Sequence, residues 1–158
     1  MTTPTGAAAN PERELVLEHR FNAPAAKVFA AYTDPKLIPK WWAQAGGSFR
    51  VDVMEVRTGG RWRFVERRPD GREVAFSGQY LEVHPVTRLV YTFQVEGQPG
   101  SELTAAVDLH ESAGVTRLKL TSTFPTKEIR DAMLSYGAAA GARASWERLA
   151  EAIGGVRT

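Results

Sequence analysis

The stretch TKEIRDAMLSYGAAAGARASWERLAEAI, residues 126–153, decides the fold of this chain. Pro125 stops whatever precedes it, Thr126 is a good N-cap, and Glu128 places an acid in the first turn, where the helix dipole favours it. Two glycines at 154–155 provide a stop at the other end. About 27 residues without a proline predict one continuous helix of roughly 40 Å, at about 1.5 Å per residue.

The apolar face of this predicted helix shifts halfway along it. In the first half the apolar positions at helical spacing are Ile129, Met133, Tyr136 and Ala140, and in the second half they are Ala142, Trp146, Leu149 and Ile153. The segment GAAAGA at 137–142 joins the two halves and has almost no side chain. Such a slim segment either lets a neighbouring element pack closely or leaves a hole.

The composition is that of one globular domain. The chain has 158 residues, of which 43% are apolar and 24% are charged. A net charge of +2 without a run of basic residues predicts no nucleic-acid partner, and no apolar stretch reaches membrane-spanning length, so we expect no membrane association. The absence of cysteine excludes disulfides and thiolate chemistry and fits a reducing cytoplasm. We expect a disordered lead-in at 1–12 and a single domain at 13–155.

Alternating apolar and polar residues predict seven strands. The first, Glu14–Phe21, is followed by two short helices that begin at Pro24 and Pro35. Six further alternating segments follow, joined by short turns such as PDG at 69–71, and bulges near Glu55 and Gly78 are expected to change the side on which residues point. This order of elements predicts an α+β fold with an antiparallel meander.

One face of this sheet carries bulky aromatic residues that only the C-terminal helix can cover. They are Phe49, Trp62, Phe64, Phe76, Tyr80, Tyr91 and Phe93. Large side chains opposite a Gly/Ala segment fit a filled core, which the close packing of protein interiors favours. A strongly curved sheet could instead stand away from the slim helix and enclose a pocket.

Several sequence runs together resemble a known family. They are FNAP (21–24), VF (28–29), YTDP (32–35), WW (41–42), RTGGRW (57–62), PDG (69–71), GQYLEV (78–83), RLVYTF (88–93) and the pattern Gly137…Gly141…Leu149. The chain is similar in these runs to the START-like (SRPBCC) superfamily, and within it to the bacterial homologues of the activator of heat-shock-protein-90 ATPase. The resemblance covers about residues 13 to 153.

The resemblance implies a helix-grip fold, in which a seven-stranded curved antiparallel sheet wraps a long C-terminal helix around a hydrophobic cavity. It therefore favours the pocket over the filled core. Members often have a Trp directly after the second helix glycine, where this chain has Ala142. The small residue indicates a roomier pocket, unless Trp146 fills it. The family's functions include lipid and polyketide binding, aromatic-ring cyclisation, stress response and co-chaperone activity, and the fold does not choose among them.

The sequence offers no recognisable catalytic constellation, so we expect no catalytic residues, no cofactor and no metal. His84 and His110 lie in turns or at strand ends, and His19 lacks the further ligands that a metal site needs. Glu66 is expected at a solvated strand end. Tyrosines are the better source of polarity in a pocket, because a buried phenol needs a partner and can orient a ligand carbonyl or hydroxyl.

Two further features are open to two interpretations. The adjacent Trp41 and Trp42 are expected to place one indole inside and one partly exposed, as a plug, a pocket lid or a contact for a partner. Five arginines cluster on the predicted hairpin at 61–72, which is either a solvated face or a docking surface for an acidic partner.

Our first hypothesis is a monomer or weak homodimer that binds a small hydrophobic ligand, lipid- or polyketide-like, between the sheet and the C-terminal helix. The predicted ligand-binding residues are Trp41, Trp42, Phe49, Val51, Trp62, Phe64, Phe76, Tyr80, Tyr91, Phe93, Met133, Tyr136, Gly137 and Ala140. The alternatives are an enzyme of the cyclase or aromatase kind in the same cavity, and a co-chaperone-like module that binds a chaperone or another protein.

Overall fold

A computed structural model describes residues 11–42 and 48–154. Its elements in chain order are β1 (Glu14–Phe21), α1 (Ala25–Thr33), α2 (Ile38–Trp41), β2 (Ser48–Met54), β3 (Arg61–Arg67), β4 (Glu73–His84), β5 (Arg88–Val95), β6 (Leu103–Ser112), β7 (Val115–Thr123), α3 (Lys127–Ser135) and α4 (Ala138–Ala152). The α+β helix-grip fold predicted from the sequence is confirmed. Residues 1–10 of the predicted lead-in, and the glycines at 46, 47 and 155, lie outside the described residues.

The seven strands form one antiparallel sheet in the order β1-β7-β6-β5-β4-β3-β2. Strands β2 to β7 follow one another as a meander, and β1 pairs with β7 at the far edge. The register shifts between Val51 and Val53 in β2 and between Tyr80 and Glu82 in β4, a few residues from the bulges expected near Glu55 and Gly78. Such irregularities bend a strand and increase its twist. The sheet is therefore curved around one face, which the helices cover.

The C-terminal stretch forms two helices instead of the single continuous helix that its lack of proline predicted. Gly137 separates α3 from α4 and has a φ of 88°, in the left-handed region where glycine alone is unstrained. The backbone N–H of Gly137 bonds to the carbonyl of Leu134 at 3.1 Å, which closes the end of α3. A glycine in this conformation ends a helix, whereas sequence periodicity reads across it.

The core lies between the concave face of the sheet, α1, α2 and α4. Trp146 and Leu149 of α4 are almost fully buried, as are Val28 of α1 and Leu118 of β7. Helix α3 contributes no buried residue. The C-terminal half of the predicted helix therefore closes the fold, and the N-terminal half lies at its margin.

Candidate functional site

A cavity of about 320 Å³ lies between the sheet and the helices and is partly open to the surface. Helices α1 and α2 and the residue after them contribute three aromatic side chains, and α4 contributes Trp146 together with small residues. The complete lining is Tyr32, Trp41, Trp42, Tyr91, Phe93, Leu103, Ala105, Leu120, Ser122, Ala142, Ser145 and Trp146. Its volume is at the lower end of the range for small-molecule sites, about 300–1,000 Å³.

Three hydrogen bonds hold the helical side of the cavity together. The Trp146 indole N–H donates to the Tyr32 hydroxyl at 3.1 Å, and the Trp41 indole N–H donates to the carbonyl of Ala31 at 2.8 Å. Arg148 Nε donates to the carbonyl of Trp41 at 3.1 Å. Two of these bonds join α4 to α1 and α2, and the third joins α2 to α1, so the helical wall is held by contacts within the chain.

Trp42 occupies the centre of an aromatic cluster on the sheet. Its ring centroid lies 4.9 Å from that of Phe76 and 5.4 Å from that of Phe64. Its further ring contacts, at 5.9–6.2 Å, are Phe49, Trp62 and Phe93. Trp41 is buried and Trp42 is half-buried. The predicted aromatic face of the sheet therefore exists, and Trp42 covers much of it.

Gly78 has no room for a side chain, because the Thr92 carbonyl and the Trp62 indole both lie against it. The Trp62 indole N–H donates to the carbonyl of Thr92 at 3.2 Å. A Cβ on Gly78 would lie 1.8 Å from that carbonyl oxygen and 2.7 Å from Trp62 Nε1. The glycine that the sequence analysis connected with a bulge thus serves a close approach of an indole to a neighbouring strand.

A smaller pocket of about 20 Å³ adjoins the main cavity and shares Tyr32, Trp42 and Tyr91 with it. The rest of its lining is Ile38, Trp62, Phe64, Tyr80 and Leu89. Burial raises the pKa of Tyr32 to about 12, and burial also raises the pKa values of Tyr80 and Tyr91. All three phenols are therefore neutral hydrogen-bond donors at physiological pH.

The structure divides the predicted ligand-binding residues into three groups: those that line one of the two pockets, those that pack against the core, and those on or next to α3. Trp41, Trp42, Tyr91 and Phe93 line the main cavity, and Trp62, Phe64 and Tyr80 line the smaller pocket. Phe49, Val51 and Phe76 pack against the core outside the two linings. The third group belongs to neither lining. It lies on α3, on the turn after it and at the start of α4, and consists of Met133, Tyr136, Gly137 and Ala140.

None of that third group lines either pocket, so a role of these residues in ligand binding stays a prediction. Tyr136 is 86% exposed, and Ala140 is exposed as well. A Cβ on Gly137 would meet no atom within 4 Å. The wall was assigned from a continuous helix, and the break at Gly137 removes the geometry on which that assignment depended.

Eight lining residues were missing from the sequence-based wall: Tyr32, Leu103, Ala105, Leu120, Ser122, Ala142, Ser145 and Trp146. Leu103, Ala105 and Leu120 follow the alternation of their strands but are not aromatic, whereas the predicted wall consists mainly of aromatic residues. Ala142 and Trp146 had been connected with the size of the pocket without being placed in its wall. Nothing in the local pattern of Tyr32 distinguishes it from an ordinary core residue of a short helix.

Within the lining of both pockets there is no carboxylate and no histidine among the described residues. His19 instead packs between Phe21 and Trp146, with ring centroids 4.9 and 5.4 Å away. Glu66 is only 6% exposed, so its expected place at a solvated strand end was wrong. It comes after Trp62 and Phe64 along β3, and its carboxylate lies 3.6 Å from the Arg68 guanidinium. In residues 11–42 and 48–154, no group of three or more His, Asp or Glu side chains could hold a metal ion.

A curved antiparallel sheet closed by a C-terminal helix over a cavity defines the class of helix-grip α+β proteins. The sequence matches, over residues 22–154, the model of the family described as "Activator of Hsp90 ATPase homolog 1-like protein", and the chain belongs to that family. The resemblance drawn from the sequence runs is thereby confirmed. None of the curated proteins matches this sequence.

Solved structures share the fold across almost the whole chain. A protein from Nitrosomonas europaea has a TM-score of 0.81 at 26% identity, covering 92% of this chain and 96% of that one. A protein from Rhodobacter sphaeroides has a TM-score of 0.81 at 26% identity, covering 90% and 93%. One from Staphylococcus epidermidis has a TM-score of 0.82 at 21% identity, covering 92% of each, which shows the fold alone. Among the described residues, no helix has the length and apolar character to cross a membrane.

Proposed function

We propose that the protein binds one small, mostly apolar molecule in the main cavity, within a single domain spanning residues 13–155. The observation that carries this proposal is the cavity of about 320 Å³, which lies beside the buried core and has Ala142 on its helical wall. Family membership supports a ligand-binding or related role in general.

The chemistry of the wall favours a ligand with an apolar body. Six of its residues are aromatic, namely Tyr32, Trp41, Trp42, Tyr91, Phe93 and Trp146. Removing apolar surface from water stabilises a complex by about 25 cal/mol per Å², and aromatic rings add contacts that depend on their orientation. The volume of about 320 Å³ suits one compact molecule. A compact bicyclic molecule fits this volume, and a lipid with two long chains does not.

The test fills the cavity from its helical wall. Ala142→Phe places a ring in the cavity, whereas Ala140→Phe places the same ring on the exposed side of the same helix. We expect the wild type and Ala140→Phe to bind tetralin, a compact apolar bicycle, and Ala142→Phe to lose at least tenfold in affinity. Isothermal calorimetry measures this, and tryptophan fluorescence adds a second readout because Trp41, Trp42 and Trp146 line the cavity.

Thermal unfolding of both variants serves as the control for folding. A folded Ala142→Phe protein that binds tetralin as well as the wild type does would contradict the proposed site. A wild type that binds no compact apolar bicycle at all would contradict the proposed function itself.

A role with a protein partner is the second candidate, and the family's description, which names an activator of the Hsp90 ATPase, favours it. The arginine hairpin gives it less support than expected. Arg63 pairs with Asp52 and Glu96 at 2.9 Å, and Arg72 pairs with Asp70 at 3.3 Å, so much of the positive charge is compensated within the chain. Co-purification with the host's chaperone, compared between wild type and Ala142→Phe, separates a partner surface from a role of the cavity.

A further inference from the structure

Three tyrosines from three different elements meet where the two pockets adjoin. Tyr32 comes from α1, Tyr80 from β4 and Tyr91 from β5, and Tyr80 and Tyr91 are direct partners in the register of the two strands. All three line the smaller pocket, and Tyr32 and Tyr91 also line the main cavity. A ligand in the main cavity therefore has phenols on its inner boundary.

The hydrogen bonding of these phenols is incomplete. The Tyr32 hydroxyl accepts the Trp146 indole N–H at 3.1 Å, which leaves its own O–H free to donate. The hydroxyls of Tyr80 and Tyr91 have no hydrogen-bond partner in the described part of the chain, and no hydrogen bond joins any two of the three tyrosines. Buried phenols normally find a partner, because an unpaired polar group costs free energy when it is removed from water.

These hydroxyls also touch open space. Among the described residues, Arg68 Nε is the one side-chain polar atom that is both sealed from water-sized space and without a partner. The unpaired hydroxyls of Tyr80 and Tyr91 therefore keep some exposed surface, and the side chains of both residues line the smaller pocket of about 20 Å³. That volume suits a single oxygen atom, since a water-sized site needs about 10–15 Å³.

We propose that the ligand is a neutral aryl ketone or a similar aromatic carbonyl compound, whose oxygen enters the smaller pocket and accepts hydrogen bonds from Tyr80 and Tyr91. This inference rests on the proposed function and specifies its ligand class. The aromatic lining takes the ring system, and the cavity volume of about 320 Å³ favours a compact one. A carboxylate is disfavoured, because the described lining offers no cationic side chain to offset its lost hydration.

The experiment compares two probes that differ only in the carbonyl oxygen, 1-tetralone and tetralin, on three tyrosine variants. Tyr80→Phe and Tyr91→Phe each remove a hydroxyl without breaking a hydrogen bond of the described chain, so both variants should fold. Tyr136→Phe makes the same change on a side chain that is 86% exposed and outside both pockets. Tyr32 is left intact because its hydroxyl holds Trp146.

We expect Tyr80→Phe and Tyr91→Phe each to weaken 1-tetralone binding about five- to tenfold, the effect of one lost hydrogen bond to a neutral acceptor. Because tetralin has no hydrogen-bond acceptor, both variants should lose clearly more affinity for 1-tetralone than for tetralin, and Tyr136→Phe should bind both probes like the wild type. Calorimetric titration measures all eight affinities.

The outcomes separate this inference from the function on which it rests. If tetralin binds but neither Tyr80→Phe nor Tyr91→Phe lowers the affinity for 1-tetralone, the carbonyl assignment is overturned and the apolar site stands. If the wild type binds neither probe, the proposed function fails and the inference fails with it. Equal losses for both probes would mean that the variants changed the shape of the cavity, which also overturns the assignment of a hydrogen bond to these hydroxyls.

Discussion

Helices α3 and α4 come from one proline-free stretch, yet they contact the molecule in different ways. Helix α4 buries Trp146, Leu149 and Ala150. Helix α3 buries no residue and is held by polar contacts, such as Arg130 Nη1 with the carbonyl of Glu14 at 3.2 Å and the Thr126 cap on the N–H of Ile129 at 3.1 Å. A helix is stabilised mainly by the apolar face that it packs against its neighbours. The fold therefore depends on α4, and α3 depends on the fold.

The two helices also differ in what they contribute to the cavity. Helix α4 carries Ala142, Ser145 and Trp146 into the cavity lining, and α3 carries no residue there. The slim segment at 137–142 matters at its last position, Ala142, where a small side chain leaves space in front of the sheet. The helical wall of the cavity therefore lies further along the chain than residues 133–140, where the apolar stripe of the first half placed it.

The largest expected effect comes from truncating the main buried side chain of α4. Trp146→Ala should lower the free energy of unfolding by about 3–5 kcal/mol, because it removes a buried indole and its bond to Tyr32. The matched change on α3, Met133→Ala, should cost about 1 kcal/mol or less, since Met133 is only half-buried. Urea unfolding measures both variants. Similar losses from the two would mean that α3 is packed as firmly as α4.

The next effect is a loss of folding stability at alkaline pH, caused by ionisation of the buried tyrosines on α1 and on the sheet. Folding raises the pKa of Tyr32 from 10.0 to about 12, so above pH 10 the unfolded chain loses this proton first. Stability should be constant below about pH 10 and should fall as the pH rises through 12, by on the order of 2–3 kcal/mol for Tyr32 alone. Denaturant unfolding at stepped pH values follows this decline.

A tyrosine substitution gives the control for this pH dependence. Burial also raises the pKa of Tyr80, so Tyr80→Phe should make the alkaline decline shallower. Tyr136→Phe, at the exposed turn after α3, should leave the profile as it is in the wild type. An identical profile in all three proteins would show that the buried phenol of Tyr80 does not contribute to alkaline unfolding.

The smallest effect comes from replacing each of two glycines by alanine, which tests the break between α3 and α4. Gly137→Ala should destabilise by about 1–2 kcal/mol, because its φ of 88° is strained for alanine. Gly141→Ala should stabilise by about 0.5–1 kcal/mol, since it lies inside α4 and a Cβ there would meet no atom within 4 Å. Opposite signs in chemical denaturation support the break. Stabilisation at both positions would instead support one continuous helix.

The sequence by itself determined the order of elements and the aromatic face of the sheet. Alternation is a local property of a strand, so β1 was predicted as Glu14–Phe21, its bounds in the structure. The bulges lie a few residues from their expected positions, because any strand residue can be the extra residue of a bulge and pairing with the partner strand decides which one it is. The actual shifts lie at Val51/Val53 and Tyr80/Glu82.

Only the tertiary structure decided where the stretch 126–153 breaks and which residues face the cavity. Gly137 has the same chemistry as Gly141, yet Gly137 adopts the left-handed conformation and Gly141 stays helical. Tyr80 and Tyr91 pair across one hairpin, whereas Tyr32 comes from α1, so its meeting with them depends on how that helix packs over the sheet. Periodicity reports what one element buries, whereas a cavity is formed by the elements that fail to touch across it.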